Sequence, residues 1–191
     1  MPAINNNIQN ELEFALYHYS RKNYDDVIAI CMKILQQQKM AEAHYFLGCA
    51  YGEKGEHKKA IASLEKAVLY KSDYTEALNR IGLEYIALQN HDKAIGAFSM
   101  SIKIKPESPE AYNNLGSVYY HLGHFPKAIQ SYNKALMLFP KHAKARYGIA
   151  KCLLARGDIE SAFAEIELLS KADRNLANDL RAEIGKVDQY I

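Results

Sequence analysis

Gly48, Gly82 and Gly116 stand thirty-four residues apart, each in the middle of a stretch with helical apolar spacing: "EAHYFLGCAYGEKG", "EALNRIGLEYIALQ" and "EAYNNLGSVYYHLG". A glycine in a helix interior costs about 1 kcal/mol relative to alanine. A penalty that recurs at a fixed interval must serve the architecture, and a period of this length marks stacked supersecondary units. Aligning on the glycines gives repeats at 41–74, 75–108 and 109–142. A fourth copy, 143–176, has Ala150 in the glycine place, and an earlier one, 8–40, has Ala15 and is one residue short.

Other columns repeat with the small residue. Leu47, Ile81, Leu115 and Ile149 precede it, and Tyr51, Tyr85, Tyr119 and Leu153 follow three positions after it. A second block carries Ala60, Ala94, Ala128 and Ala162, then Leu64, Phe98, Tyr132 and Ile166. Spacings of three, four and seven are helical. Between the blocks lie turn-like strings in which Gly55, Gly123 and Gly157 can end the first helix, and Pro126 suits the first turn of the second. Pro106 and Pro140 mark where second helices stop. Each repeat therefore reads as two antiparallel helices, A and B. The small residue on A and the alanine on B are expected to let two backbones approach closely. One such pair cannot bury both of its apolar faces, so neighbouring pairs must stack, and the expected fold is an all-α solenoid spanning residues 8–176. Residues 1–7 are expected to form an extended or disordered tail. The segment 177–191 places Leu180, Ile184, Val187 and Ile191 on one stripe and charged residues opposite, the pattern of a capping helix.

The combination of Tyr112, Leu115, Gly116, Tyr119, Ala128, Tyr132, Ala135 and Pro140 within a 34-residue period resembles the tetratricopeptide repeat, or TPR. The resemblance covers most of the chain and weakens at its ends, where Val27 replaces an alanine, Arg146 an aromatic and Arg174 a proline. It implies a right-handed superhelix of about five repeats whose A helices line a concave groove that commonly takes peptides. By alignment the groove-facing residues include Tyr45, Phe46 and Cys49 in the second copy, and Asn79, Arg80 and Leu83 in the third. The fourth contributes Asn113, Asn114, Ser117 and Tyr120, and the fifth Lys144, Tyr147 and Lys151. Asparagines can both donate to and accept from a peptide backbone, and tyrosines add apolar contact at low entropic cost. Of the five places that grip a chaperone's C-terminal carboxylate in some members, only Asn114 and Lys144 match here, so that mode is not expected.

Charge points to the kind of visitor. The net charge of +2 conceals a run from Ala111 to Gly157 with seven basic residues and no Asp or Glu. Seven of the 24 basic residues lie there, leaving 17 against 22 acidic residues elsewhere. Lys144 and Lys151 should face the groove, while Lys127, Lys134 and Lys141 should not. An acidic or phosphorylated peptide docking across the fourth and fifth repeats is the expected partner. The alternative is a homo-oligomeric scaffold in which the basic stretch of one copy meets the acidic 158–191 segment of the next, a heterologous contact.

Other function classes find little in the sequence. There is no phosphate-binding glycine loop, no G-x-S-x-G and no H-E-x-x-H, so an enzyme is not expected. His121 and His124 lack a nearby third ligand, and neither a metal nor another cofactor is expected. Cys31, Cys49 and Cys152 form no C-x-x-C pair, which fits a reducing, cytoplasmic setting. A pI of about 8.3, with aromatics that follow the core columns more than the basic residues, argues against nucleic acid. No basic-then-apolar leader and no apolar run of spanning length appear, so membrane insertion is not expected either.

Overall fold

The computed structural model describes the backbone of residues 6–187 and the side chains of residues 7–184. The described residues form helices and turns without strands. Contacts group the chain into two compact units, the first ending at Ile104 and the second beginning at Lys105.

The first unit holds α1 (Asn6–Ser20), α2 (Tyr24–Gln37), α3 (Ala41–Glu53), α4 (His57–Tyr70), α5 (Thr75–Ala87) and α6 (His91–Ile104). Helix α1 takes in Asn6 and Asn7, which the repeat register had left in the tail. Short turns join α1 to α2, α3 to α4 and α5 to α6, and α2 packs on α3 as α4 does on α5. The A helices α1, α3 and α5 also touch in sequence order, which gives this unit one continuous A-helix face.

The second unit holds α7 (Pro109–His121), α8 (Phe125–Leu138), α9 (Ala143–Ala155), α10 (Ile159–Ser170) and α11 (Arg174–Val187). Two hairpins stack in the same way, and α11 closes the unit against α10 and α9. Asp173 caps α11, its Oδ1 accepting from the Asn175 and Leu176 amides at 3.0 and 3.1 Å. Ala177, Leu180 and Ile184 bury their side chains with Ala150, Ile166 and Leu169. Of the expected apolar stripe, the side chains of Val187 and Ile191 lie outside the described residues.

The glycine column works through side chains more than through paired backbones. A Cβ on Gly82 would stand 2.5 Å from the Phe98 ring, and one on Gly116 would stand 2.7 Å from the Tyr132 ring. At Gly48 the Ala60 carbonyl oxygen does come within 3.0 Å, but a Leu64 side-chain carbon is nearer. The large B-helix residue thus sits directly over the missing side chain, where close approach to the B-helix alanine had been expected. In the fourth copy Ala150 takes the glycine place where the facing column carries Ile166, slimmer than Phe98 or Tyr132, and both are fully buried.

Turns between A and B helices share one left-handed residue. Gly55, Gly123 and Gly157 have φ between 73° and 77°. Lys22 (φ 62°) and Gln89 (φ 58°) take that conformation in the other two turns, where L side chains are disfavoured.

Candidate functional site

In the second unit, helical spacing brings the expected residues together. Asn113, Ser117 and Tyr120 recur at four and three residues along α7, and Lys144, Tyr147 and Lys151 at three and four along α9. Those six side chains line one cavity of about 450 Å³, completed by His121, Tyr132, Gly148 and Leu176. Asn114 adjoins it, its Oδ1 accepting from Asn113 Nδ2 at 3.5 Å.

The wall of this cavity is aromatic and its charge is positive. Tyr132 reaches in from α8, where its ring would collide with a Cβ on Gly116, at 2.7 Å, and with one on Gly148. Burial, with Cys152 adding to it, outweighs the Ser117 side chain beside the Tyr132 hydroxyl, which favours the ionised form. The phenol is held above the ordinary tyrosine value, so it meets a ligand as a neutral hydroxyl. Lys151 Nζ lies 5.8 Å from the Tyr120 ring centre and 6.0 Å from that of Tyr147, within cation–π range. Burial opposes the Lys151 charge, yet Tyr120, Glu183 and Tyr147 together keep its pKa above the usual lysine value. Glu183 of α11 approaches this ammonium at 3.5 Å. Lys144 is exposed and makes no ion pair among the described residues.

The remaining candidates lie in the first unit, and packing claims part of most of them. Tyr45 is half-buried against the core, its ring 5.0 Å from that of Tyr74, and Phe46 packs beside Tyr19. Leu83 is exposed. Asn79 has a buried Oδ1 with no hydrogen-bond partner among the described residues. Cys49, expected on the groove face, is 3% exposed, buried in the core cluster it shares with Tyr74 and Tyr45. Burial, outweighing Arg80, pushes its thiol up to about 11, and likewise lifts Cys152 to about 11 and Cys31 to about 12. None is a thiolate near neutrality.

Arg80 is committed to ion pairs. Its Nη2 donates to Glu53 Oε1 at 2.8 Å and its Nε to Glu84 Oε1 at 2.7 Å, while His57 Nδ1 meets Glu84 Oε2 at 2.7 Å. The four residues tie α3, α4 and α5 together. Burial disfavours the guanidinium charge, but the bonds to Glu53 and Glu84 prevail and raise its pKa. Gly52 leaves the space this requires, since a Cβ there would clash with Glu84 and lie 2.7 Å from Arg80 Nη2.

Sequence reasoning missed this network, although it left a signal. The column two places after the small residue reads Ala50, Glu84, Val118 and Cys152, all buried, and a lone carboxylate there requires partners. In the second unit it missed Tyr132, assigned wholly to the core, together with His121, Gly148, Leu176 and Glu183. The last two needed the path of α11, which column alignment does not supply.

Comparison with known proteins bears on the whole arrangement. Profiles of the tetratricopeptide repeat match residues 41–74 and 109–142, and a TPR-repeat profile matches 82–123. Tetratricopeptide repeat protein 1 of Schizosaccharomyces pombe is 36% identical over 55 residues, which span 27% of this chain and 5% of that protein. Among solved structures, the MamA protein superposes with a TM-score of 0.75 at 23% identity, over 90% of this chain and 94% of its own. YrrB, described as a TPR protein with an unusual peptide-binding site, gives a TM-score of 0.71 at 20% identity, over 90% of each chain. These likenesses show the fold, an all-α TPR solenoid. No helix among the described residues is long and apolar enough to cross a membrane.

Proposed function

Since the chain belongs to the tetratricopeptide repeat family, whose members generally mediate protein–protein interaction without catalysis, we propose that it is an adaptor that binds an acidic segment of another protein. The observation that carries this reading is the 450 Å³ cavity between α7 and α9, where two lysines, three tyrosines and Asn113 converge. Lys144 and Lys151 are two helical turns apart, roughly 10 Å along the axis. An extended peptide covers that length in about three residues. Carboxylate or phosphate groups with that spacing suit the two ammonium groups, while Asn113 suits the backbone between them. Tyr120 and Tyr147 supply flat apolar contact. The peptide-binding site in YrrB's description is consistent with a solenoid of this kind serving that purpose.

Head-to-tail assembly draws less support. Part of the acidic segment is already engaged within one chain, Glu165 with Arg146 at 2.7 Å and Glu183 with Lys151. Those carboxylates are not idle partners for a second copy.

Fluorescein-labelled hexaglutamate, followed by fluorescence polarisation, tests the adaptor reading. The intact chain should bind it saturably at low salt and more weakly at high salt, as screening reduces the attraction. Lys144→Glu with Lys151→Glu should weaken binding roughly tenfold or more at low salt. Equal binding by wild type and the double variant at both salt levels would remove this cavity as the site.

A further inference from the structure

We propose that Glu183 is a built-in competitor for the acidic segment, a carboxylate held over Lys151 that a visiting carboxylate must replace. This inference rests on the adaptor reading of the same cavity and adds its regulation.

The two lysines of the cavity are not equivalent. Lys144 stands open and unpaired among the described residues, whereas Lys151 is 28% exposed and already faces Glu183 at 3.5 Å. The competing group comes from α11, the helix that also contributes Leu176 to the cavity wall. Helix α11 itself cannot swing aside cheaply. Leu180 and Ala177 are fully buried, and Ile184 nearly so, in the core shared with α9 and α10. The Glu183 side chain is different, being 53% exposed, so it can rotate into water while its helix stays docked. Lys151 then keeps the Tyr120 and Tyr147 rings as its remaining neighbours and presents its ammonium to the cavity.

The consequence is a threshold. A segment with one acid can pair with Lys144 at no cost, but only a segment whose second acid outcompetes Glu183 gains Lys151 as well. Because the replaced pair is partly exposed, its worth is small, up to about a factor of five in an equilibrium constant. The device therefore tunes selectivity and does not lock the site shut.

Fluorescein-labelled hexaglutamate at low salt again serves, now with Glu183→Gln, Glu160→Gln and Lys151→Gln. Glu160 is an exposed acid on α10 whose loss changes the net charge equally. We expect Glu183→Gln to tighten binding about threefold, Glu160→Gln to leave it unchanged, and the gain to vanish in a Lys151→Gln background. Binding by Glu183→Gln alone, with wild type below detection, would support the inference as well. Equal binding by wild type and Glu183→Gln would overturn it while leaving the adaptor reading in place. Equal tightening by Glu160→Gln would also overturn it, since a general field would then be responsible. No binding by any form would overturn both.

Discussion

Replacing Arg80 by Met should destabilise the chain by about 2–4 kcal/mol in urea unfolding, because it strands a buried carboxylate. The Glu84 side chain is 4% exposed and that of Arg80 20%, so neither charge is well served by water. With Arg80 gone, Glu84 Oε1 loses its 2.7 Å partner, and among the described residues only His57 remains within bonding range of the carboxylate. The surviving His57 contact and the partial exposure of Arg80 place the expectation below the upper end for broken buried pairs. Removing both charges should cost less than removing one. The double variant Arg80→Met with Glu84→Met takes these partners from Glu53 and His57, whose side chains are 35% and 29% exposed, but strands no deeply buried charge. Apolar replacements of buried pairs are often neutral or better. A double-mutant cycle should therefore return a coupling of more than about 1 kcal/mol. Purely additive losses would show that the network is incidental.

Phe98→Ala should cost about 3–5 kcal/mol, the range for a buried aromatic truncated in a close-packed core. Its ring is fully buried and rests on Gly82, which has no side chain to lend to the void. Gly82→Ala alone should also destabilise, since its Cβ would stand 2.5 Å from that ring. The two changes are predicted to be non-additive. The chain already contains the compensated form, with Ala150 in the glycine column and Ile166 in the facing one. Gly82→Ala combined with Phe98→Ile should accordingly lose less than the sum of its parts in thermal and urea unfolding. Strict additivity would mean that the glycine column is not there to seat the B-helix residue.

Most of the architecture could be read from the spacing of small residues, because the glycines at the 34-residue interval each have their Cβ position taken by a B-helix side chain. Columns identify which faces meet, and so they located Asn113, Ser117, Tyr120, Lys144, Tyr147 and Lys151, which share one cavity. What columns cannot convey is how an atypical residue is satisfied. Arg80 falls in a groove column but turns to Glu53 and Glu84, since Glu84 replaces an apolar residue in a buried position and must be paired. Cys49 falls in a groove column too, yet it is buried in the core cluster it shares with Tyr74 and Tyr45, because the bulk around a position decides exposure as much as angle does. The Lys151–Glu183 contact was out of reach for another reason. It depends on where α11 crosses α9, a matter of the last repeat's geometry and not of its sequence period.

The central claim, that the cavity between α7 and α9 receives an acidic segment, is tested most directly by amide and side-chain NMR of the isotopically labelled chain titrated with hexaglutamate. Saturable shifts should centre on Asn113, Ser117, Tyr120, Tyr147, Gly148 and Lys151, and should disappear when Lys144 and Lys151 are both changed to Glu. Shifts that spread evenly over exposed lysines such as Lys66 and Lys134, leaving the cavity amides unmoved, would contradict the account.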